Sequence, residues 1–210
     1  MESSRSGRKV SWAEYRTWDD ESRWEIIDGR PYAMTAPRVA HQAVLTELLA
    51  LLHAHFKGRP CRVFVSPIDV RLSEYDAVQP DLIVVCDRAQ ITPTHIEGAP
   101  TLAVEILSPS TERHDRVRKL RLYATAGVKE YWILRPYPAL AEVLSLDGDS
   151  YRIAGTYTEA ETLRSPAFPD LCLRLEDVFP PPDGELIEEV RETTPPYPLP
   201  RVESEYSGPF

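Results

Sequence analysis

Glu105 interrupts the run TLAVEIL, where alternation sets Leu102, Val104 and Ile106 on one face of a strand and Ala103, Glu105 and Leu107 on the other. Both faces are apolar, so the strand is expected to be buried. A carboxylate there needs a compensating charge, either a metal ion or an ordinary arginine partner. Asp81 opens a similar run, PDLIVVC, directly after Pro80, which lacks a backbone donor and suits the first position of a strand. Its side chain shares a face with Ile83 and Val85. If the two strands are neighbours, Asp81 and Glu105 converge and offer the hard oxygen ligands that Mg²⁺ takes. Alone, an aspartate at a strand start is a common turn residue.

Lys119 follows Asp115 by four residues on a helical pattern and shares a face with Leu122, Tyr123 and Ala126, while Val117, Leu120 and Ala124 form a stripe nearly opposite. Two readings follow from that spacing. The amine reaches the acids, or it forms a plain ion pair with Asp115 worth about 0.3–0.5 kcal/mol. The surrounding ERHDRVRKLR adds Arg113, Arg116, Arg118 and Arg121 to an otherwise acidic protein. Such a cluster either holds phosphate or forms a solvated helix face.

The elements that must position these residues are legible as a mixed α/β order. Ser11 caps a short helix WAEYRTW, and RWEIIDGRPYAM reads as a hairpin turning at Asp28-Gly29. After Pro37, apolar residues from Val39 to Phe56 recur at three- and four-residue steps, predicting a helix that ends at Gly58. The runs CRVFVS, IDVRLS, DLIVVC and TLAVEIL, rich in β-branched residues, are expected to be the central strands. A second helix covers residues 111–126 and stops at Gly127, after which EYWIL, AEVLSL and YRIAGTYT resume the strand pattern.

With 210 residues and a hydrophobic fraction of 42%, the chain supports one domain with a sizeable core. No run is long and apolar enough for a membrane span, and the N-terminus lacks a secretory apolar stretch, so a cytoplasmic location is expected. Cys61, Cys86 and Cys172 show no CxxC pair and are expected to be reduced core residues. Residues 180–210 contain eight of the 20 prolines and seven acidic against two basic side chains, which accounts for −5 of the net −9. They are expected to be an extended acidic tail or a docking peptide. The net charge of −9 disfavours loose charge-driven binding to nucleic acid, but much of it is local and the rest of the chain is only mildly acidic.

The ordered set RWEIIDGRPYAM, PRVAHQAVLTELL, QPDLIVV, APTLAVEILSPST and DRVRKLRLYATAGVKEYWIL resembles a large bacterial family of restriction-endonuclease-like proteins, abundant in cyanobacteria. The resemblance covers roughly residues 11–175, and that family is similar to the PD-(D/E)XK nucleases. It implies a restriction-endonuclease-like mixed central sheet flanked by helices, with additional strands, over residues 11–179, between a tail at 1–10 and the tail at 180–210. It implies Mg²⁺ or Mn²⁺ held by Asp81 and Glu105 and a backbone carbonyl near Ile106, with Lys119 assisting the attacking water. Glu25 matches as a further ligand and His41 as a proton-transfer or phosphate contact, although a helix histidine is also an ordinary hydrogen-bonding residue. Asp115 and Tyr123 match the auxiliary positions of the D-x-x-x-K-x-x-x-Y pattern.

One position departs from the superfamily motif, because Leu107 stands where lysine is usual. The implied activity is phosphodiester hydrolysis with nucleic acid, DNA or RNA, as substrate, and a homo-oligomer is admitted. The rival class is a non-catalytic nucleic-acid-binding or regulatory module that keeps the fold. Hydrolysis of a small phosphoester, which needs a closed pocket, is a third expectation.

Overall fold

The computed structural model describes residues 8–19, 22–107 and 112–179, and over 112–117 the backbone alone. All of them lie within one compact unit, Met1–Pro180. Ser11 caps α1 (Trp12–Tyr15), its hydroxyl accepting the Glu14 N–H at 3.2 Å. This helix is one turn, shorter than the expected WAEYRTW. The hairpin follows as β1 (Trp24–Ile27) and β2 (Arg30–Ala33), turning where Asp28 and Gly29 both take positive φ, 51° and 71°. Two left-handed residues match the right-handed twist of the flanking strands, which is why Asp-Gly marks such turns.

The long helix α2 (Val39–Phe56) leads into β3 (Arg62–Val65), β4 (Val70–Arg71), β5 (Ala77–Val78), β6 (Leu82–Val85), β7 (Ile96–Glu97) and β8 (Leu102–Ile106). Then come α3 (Glu112–Ala126), β9 (Glu130–Arg135), β10 (Leu140–Asp147), β11 (Ser150–Thr158), β12 (Thr162–Arg164) and β13 (Cys172–Arg174). Six strands form the main sheet in the order β11-β10-β9-β8-β6-β3, and five form a smaller one in the order β2-β1-β5-β4-β7. A third sheet is the pair β12-β13. Within the main sheet only β8 and β9 run parallel, joined by α3 as a crossover helix.

Alternation along the main-sheet strands divides the core. Leu82, Val84, Leu102, Val104 and Trp132 pack with Val44, Leu48 and Leu52 of α2. Ile83, Val85, Ala103, Tyr131 and Ile133 pack with Tyr123 and Leu120 of α3 on the other face, together with Val70, Val78 and Ile96 of the smaller sheet. All five residues of β8 are buried, as the apolar faces of TLAVEIL require.

Two strand expectations are corrected. CRVFVS is the edge strand of the main sheet, and IDVRLS contributes the two-residue β4 to the smaller sheet. The Asp69 carboxylate accepts from Tyr15 and Gln79, which holds that segment away from the main sheet.

The cysteine expectation is also corrected. Cys61 and Cys86 are disulfide-bonded, and Cys172 is exposed. The register pairs Arg62 with Val85, so Cys61 and Cys86 come next on facing strands, a proximity that a separation of 25 residues conceals in the sequence. Alternation on β13 puts Leu173 inward and Cys172 outward.

Candidate active site

β6 and β8 are antiparallel neighbours, with Leu82 facing Val104 and Ile83 facing Ala103. One further step of this register sets Asp81 across from Glu105, so the two acids stand on the same face as Ile83 and Ala103. The Ile106 N–H donates to Asp81 Oδ2 at 2.7 Å, which locks the side chain over the end of β8. His41, in the first turn of α2, places Nε2 3.1 Å from the same oxygen. The tautomer with hydrogen on Nε2 satisfies that contact, and among the described residues the buried Nδ1 has no partner.

Lys119 reaches this site from α3. Its Nζ lies 2.9 Å from Glu105 Oε1 and 2.9 Å from Glu25 Oε1, and only 6% of the residue is exposed. The Tyr123 hydroxyl, one helical turn further on, donates to Glu105 Oε1 at 2.7 Å. Glu25 is fixed in turn by the Gln79 N–H at 2.9 Å. The structure therefore brings Asp81, Glu105, Lys119, Glu25, His41 and Tyr123 together. The Asp115 side chain, and with it the ion pair weighed for Lys119, lies outside the described residues.

Electrostatics follow from three carboxylates around one ammonium. Burial pushes the Glu105 carboxyl up to about 8; the charges of Asp81 and Glu25 add to the rise, and Lys119 and the Tyr123 hydrogen bond oppose it. Burial alone would lower the Lys119 pKa, but Glu105 and Glu25 outweigh it and hold the amine charged, well above the usual lysine value. The two directions are compatible. Oε1 of Glu105 accepts from Lys119 and Tyr123, and the same amine also meets Glu25 Oε1, so one ammonium faces two carboxylates.

A profile of the Uma2 family, described as "Putative restriction endonuclease", matches residues 12–176. The chain belongs to the Uma2 family. An uncharacterized protein of Synechocystis is 35% identical over 129 residues, spanning 60% of this chain and 68% of that relative. A crystal structure titled as a "putative nuclease" from Anabaena variabilis superposes with a TM-score of 0.68 at 19% identity, covering 81% of this chain and 97% of that one. The Uma2 chain thus shares its mixed α/β fold with that protein.

The residues of this Uma2 site fit a hard divalent cation in one respect that its other buried acid does not. Glu130, fully buried, has both oxygens occupied, Oε1 by Trp132 and Oε2 by Ser165 and the Ala167 N–H. Among the described residues, the bonds to Asp81 and Glu105 all fall on Oδ2 and Oε1, which leaves Oδ1 and Oε2 available to an ion. No group of three or more His, Cys, Asp or Glu among the described residues is arranged to hold a metal. Two carboxylates with a backbone carbonyl and water are nevertheless a usual environment for Mg²⁺, which keeps much of its hydration.

Gln79 is the site residue that sequence reasoning passed over. Its backbone holds Glu25 while its side chain donates to Asp69 and accepts from Arg23, so it ties the smaller sheet to the site. Its signal was the tripeptide Gln79-Pro80-Asp81, a polar residue beside the acid at the entrance to an apolar strand. Glu130 was equally readable as an acid at the start of EYWIL, and proves to be an anchor for the 165–168 turn.

Proposed function

We propose that this Uma2 chain is a nuclease that hydrolyses phosphodiester bonds with Mg²⁺ or Mn²⁺ held by Asp81, Glu105 and a backbone carbonyl near Ile106. The observation that carries this reading is the pair of cross-strand carboxylates that each keep one oxygen without a partner among the described residues. A bound divalent ion supplies Lewis acidity toward the phosphate and lowers the pKa of its water. The protein's own contribution is positional. His41 and the Ile106 N–H orient Asp81, while Tyr123 and Lys119 orient Glu105. The Lys119 ammonium stands in a buried site where a fixed positive charge offsets charge developing on a phosphate more strongly than in water. Family membership and a fold shared with a protein titled as a nuclease support the same reading.

The test is Mn²⁺ binding by calorimetry, together with cleavage of DNA and RNA by the wild type, Asp81→Asn and Glu105→Gln. Binding and metal-dependent cleavage by the wild type, both lost in the variants, are expected. A protein that binds Mn²⁺ through these acids yet cuts neither polymer is instead a binding module. Two features favour that second reading: Leu107 at the usual lysine position is buried in the apolar face, and Lys119 is already held by two carboxylates.

A further inference from the structure

We propose that Arg118, seated on Tyr32, is a contact for a phosphate flanking the scissile bond, so that the site takes a polynucleotide strand laid across the β1–β2 hairpin. The proposal rests on the phosphodiesterase reading and adds the substrate's second point of attachment. The Arg118 guanidinium carbon lies 4.6 Å from the centroid of the Tyr32 ring. Tyr32 faces Glu25 across the β1–β2 ladder, so their side chains share a face, and Glu25 holds Lys119, the residue after Arg118. The stacked pair therefore borders the acidic cluster. Both residues are partly exposed, and no carboxylate pairs with Arg118 among the described residues. Arg23, two residues before Glu25 on the same face, bonds there only to the neutral Gln79. Among the described residues, two arginines without acidic partners thus flank a cluster that is itself acidic.

The chemistry of such a pair is specific. A guanidinium stacked on an aromatic ring keeps its N–H donors in its own plane, directed outward, in the geometry that grips a phosphate through two parallel bonds. The stacking also restrains the side chain before binding, so less entropy is lost when the phosphate arrives. When the guanidinium engages phosphate, the Tyr32 ring is a surface on which an unpaired base can stack. A small diester has no second phosphate to offer this pair.

Fluorescence anisotropy with short labelled single strands of DNA and of RNA, in Ca²⁺ to suppress cleavage, tests the contact. Arg118→Ala is expected to weaken binding roughly tenfold and to reduce the salt slope by about one, the signature of one lost phosphate contact. Arg118→Lys should retain part of the affinity, and Tyr32→Ala should weaken both polymers while Tyr32→Phe does not. Arg164→Ala on β12 is the control for charge alone. Wild-type protein that binds neither polymer, or an Arg118→Ala profile indistinguishable from Arg164→Ala, overturns the proposal. Calorimetric Mn²⁺ binding by the same proteins reads the carboxylate site independently. Loss of the ion without change in the Arg118 effect would count against the nuclease reading and leave the strand contact standing.

Discussion

At the scale of single residues, Lys119 has two consequences that its i,i+4 spacing to Asp115 could not disclose. The sequence gives it a helix face and a partner four residues away, and on that basis replacement should hardly affect stability. Burial between Glu25 and Glu105 changes the expectation, because removing one member of a buried ionic group leaves the others uncompensated. Lys119→Ala should lower unfolding free energy by about 3–5 kcal/mol in chelated buffer, as read by urea denaturation. Mn²⁺ should restore part of the loss, and cleavage should fall by at least about a hundredfold, the scale seen for a lost electrostatic stabiliser. Retention of full cleavage would remove Lys119 from the chemistry.

Glu105 gives a pH prediction with a definite sign. Its ordinary value is 4.5 and its folded value about 8, so between these limits the folded chain holds a proton that the unfolded chain has released. That contribution to stability is complete below 4.5 and is lost as pH rises through about 8, so in metal-free protein this group makes stability fall with pH. Cation binding must displace the same proton. Calorimetry in buffers of differing ionisation enthalpy should find about one proton released per Mn²⁺ near pH 6 and almost none near pH 9. Equal release at both would show that Glu105 is already ionised in the free protein.

At the scale of elements, the β1–β2 hairpin presents Glu25 and Tyr32, and its turn is the point at which to disturb it. Gly29 takes a φ of 71°, and a Cβ there would meet Lys9 side-chain and backbone atoms at 2.5–2.9 Å. Gly29→Ala should therefore cost about 1–3 kcal/mol, the usual penalty of a strained left-handed residue, measurable by thermal denaturation. Cleavage should fall with it. Elements with strong patterns were readable, α2 because Val39–Phe56 buries one face and β8 because TLAVEIL is apolar on both. What the pattern could not provide was partnership. CRVFVS and IDVRLS look alike as sequence, yet one closes the edge of the main sheet and the other is drawn to the smaller sheet by the Asp69 bonds to Tyr15 and Gln79. Two-residue strands such as Ala77–Val78 carry no period and are set only by the segments around them.

Over the whole molecule, the Cys61–Cys86 bond joins β3 to β6 and closes a loop of 25 residues. By loop entropy a bridge of that span contributes roughly 3 kcal/mol. Reductant should then lower the thermal midpoint by about 6–12 °C for a chain of this size. An unchanged midpoint would assign the bridge no share in stability. Distance along the chain hid this pair.

The main-sheet register carries a last implication. Asp81 and Glu105 share a face only because Leu82 meets Val104, and a slip of one residue would turn one acid toward α2 and leave the other toward α3. A chain paired one step out of line would lose the proposed cation site along with its packing. An ion bound there is then a proofreader of strand pairing, favouring by mass action the one alignment in which both acids can reach it.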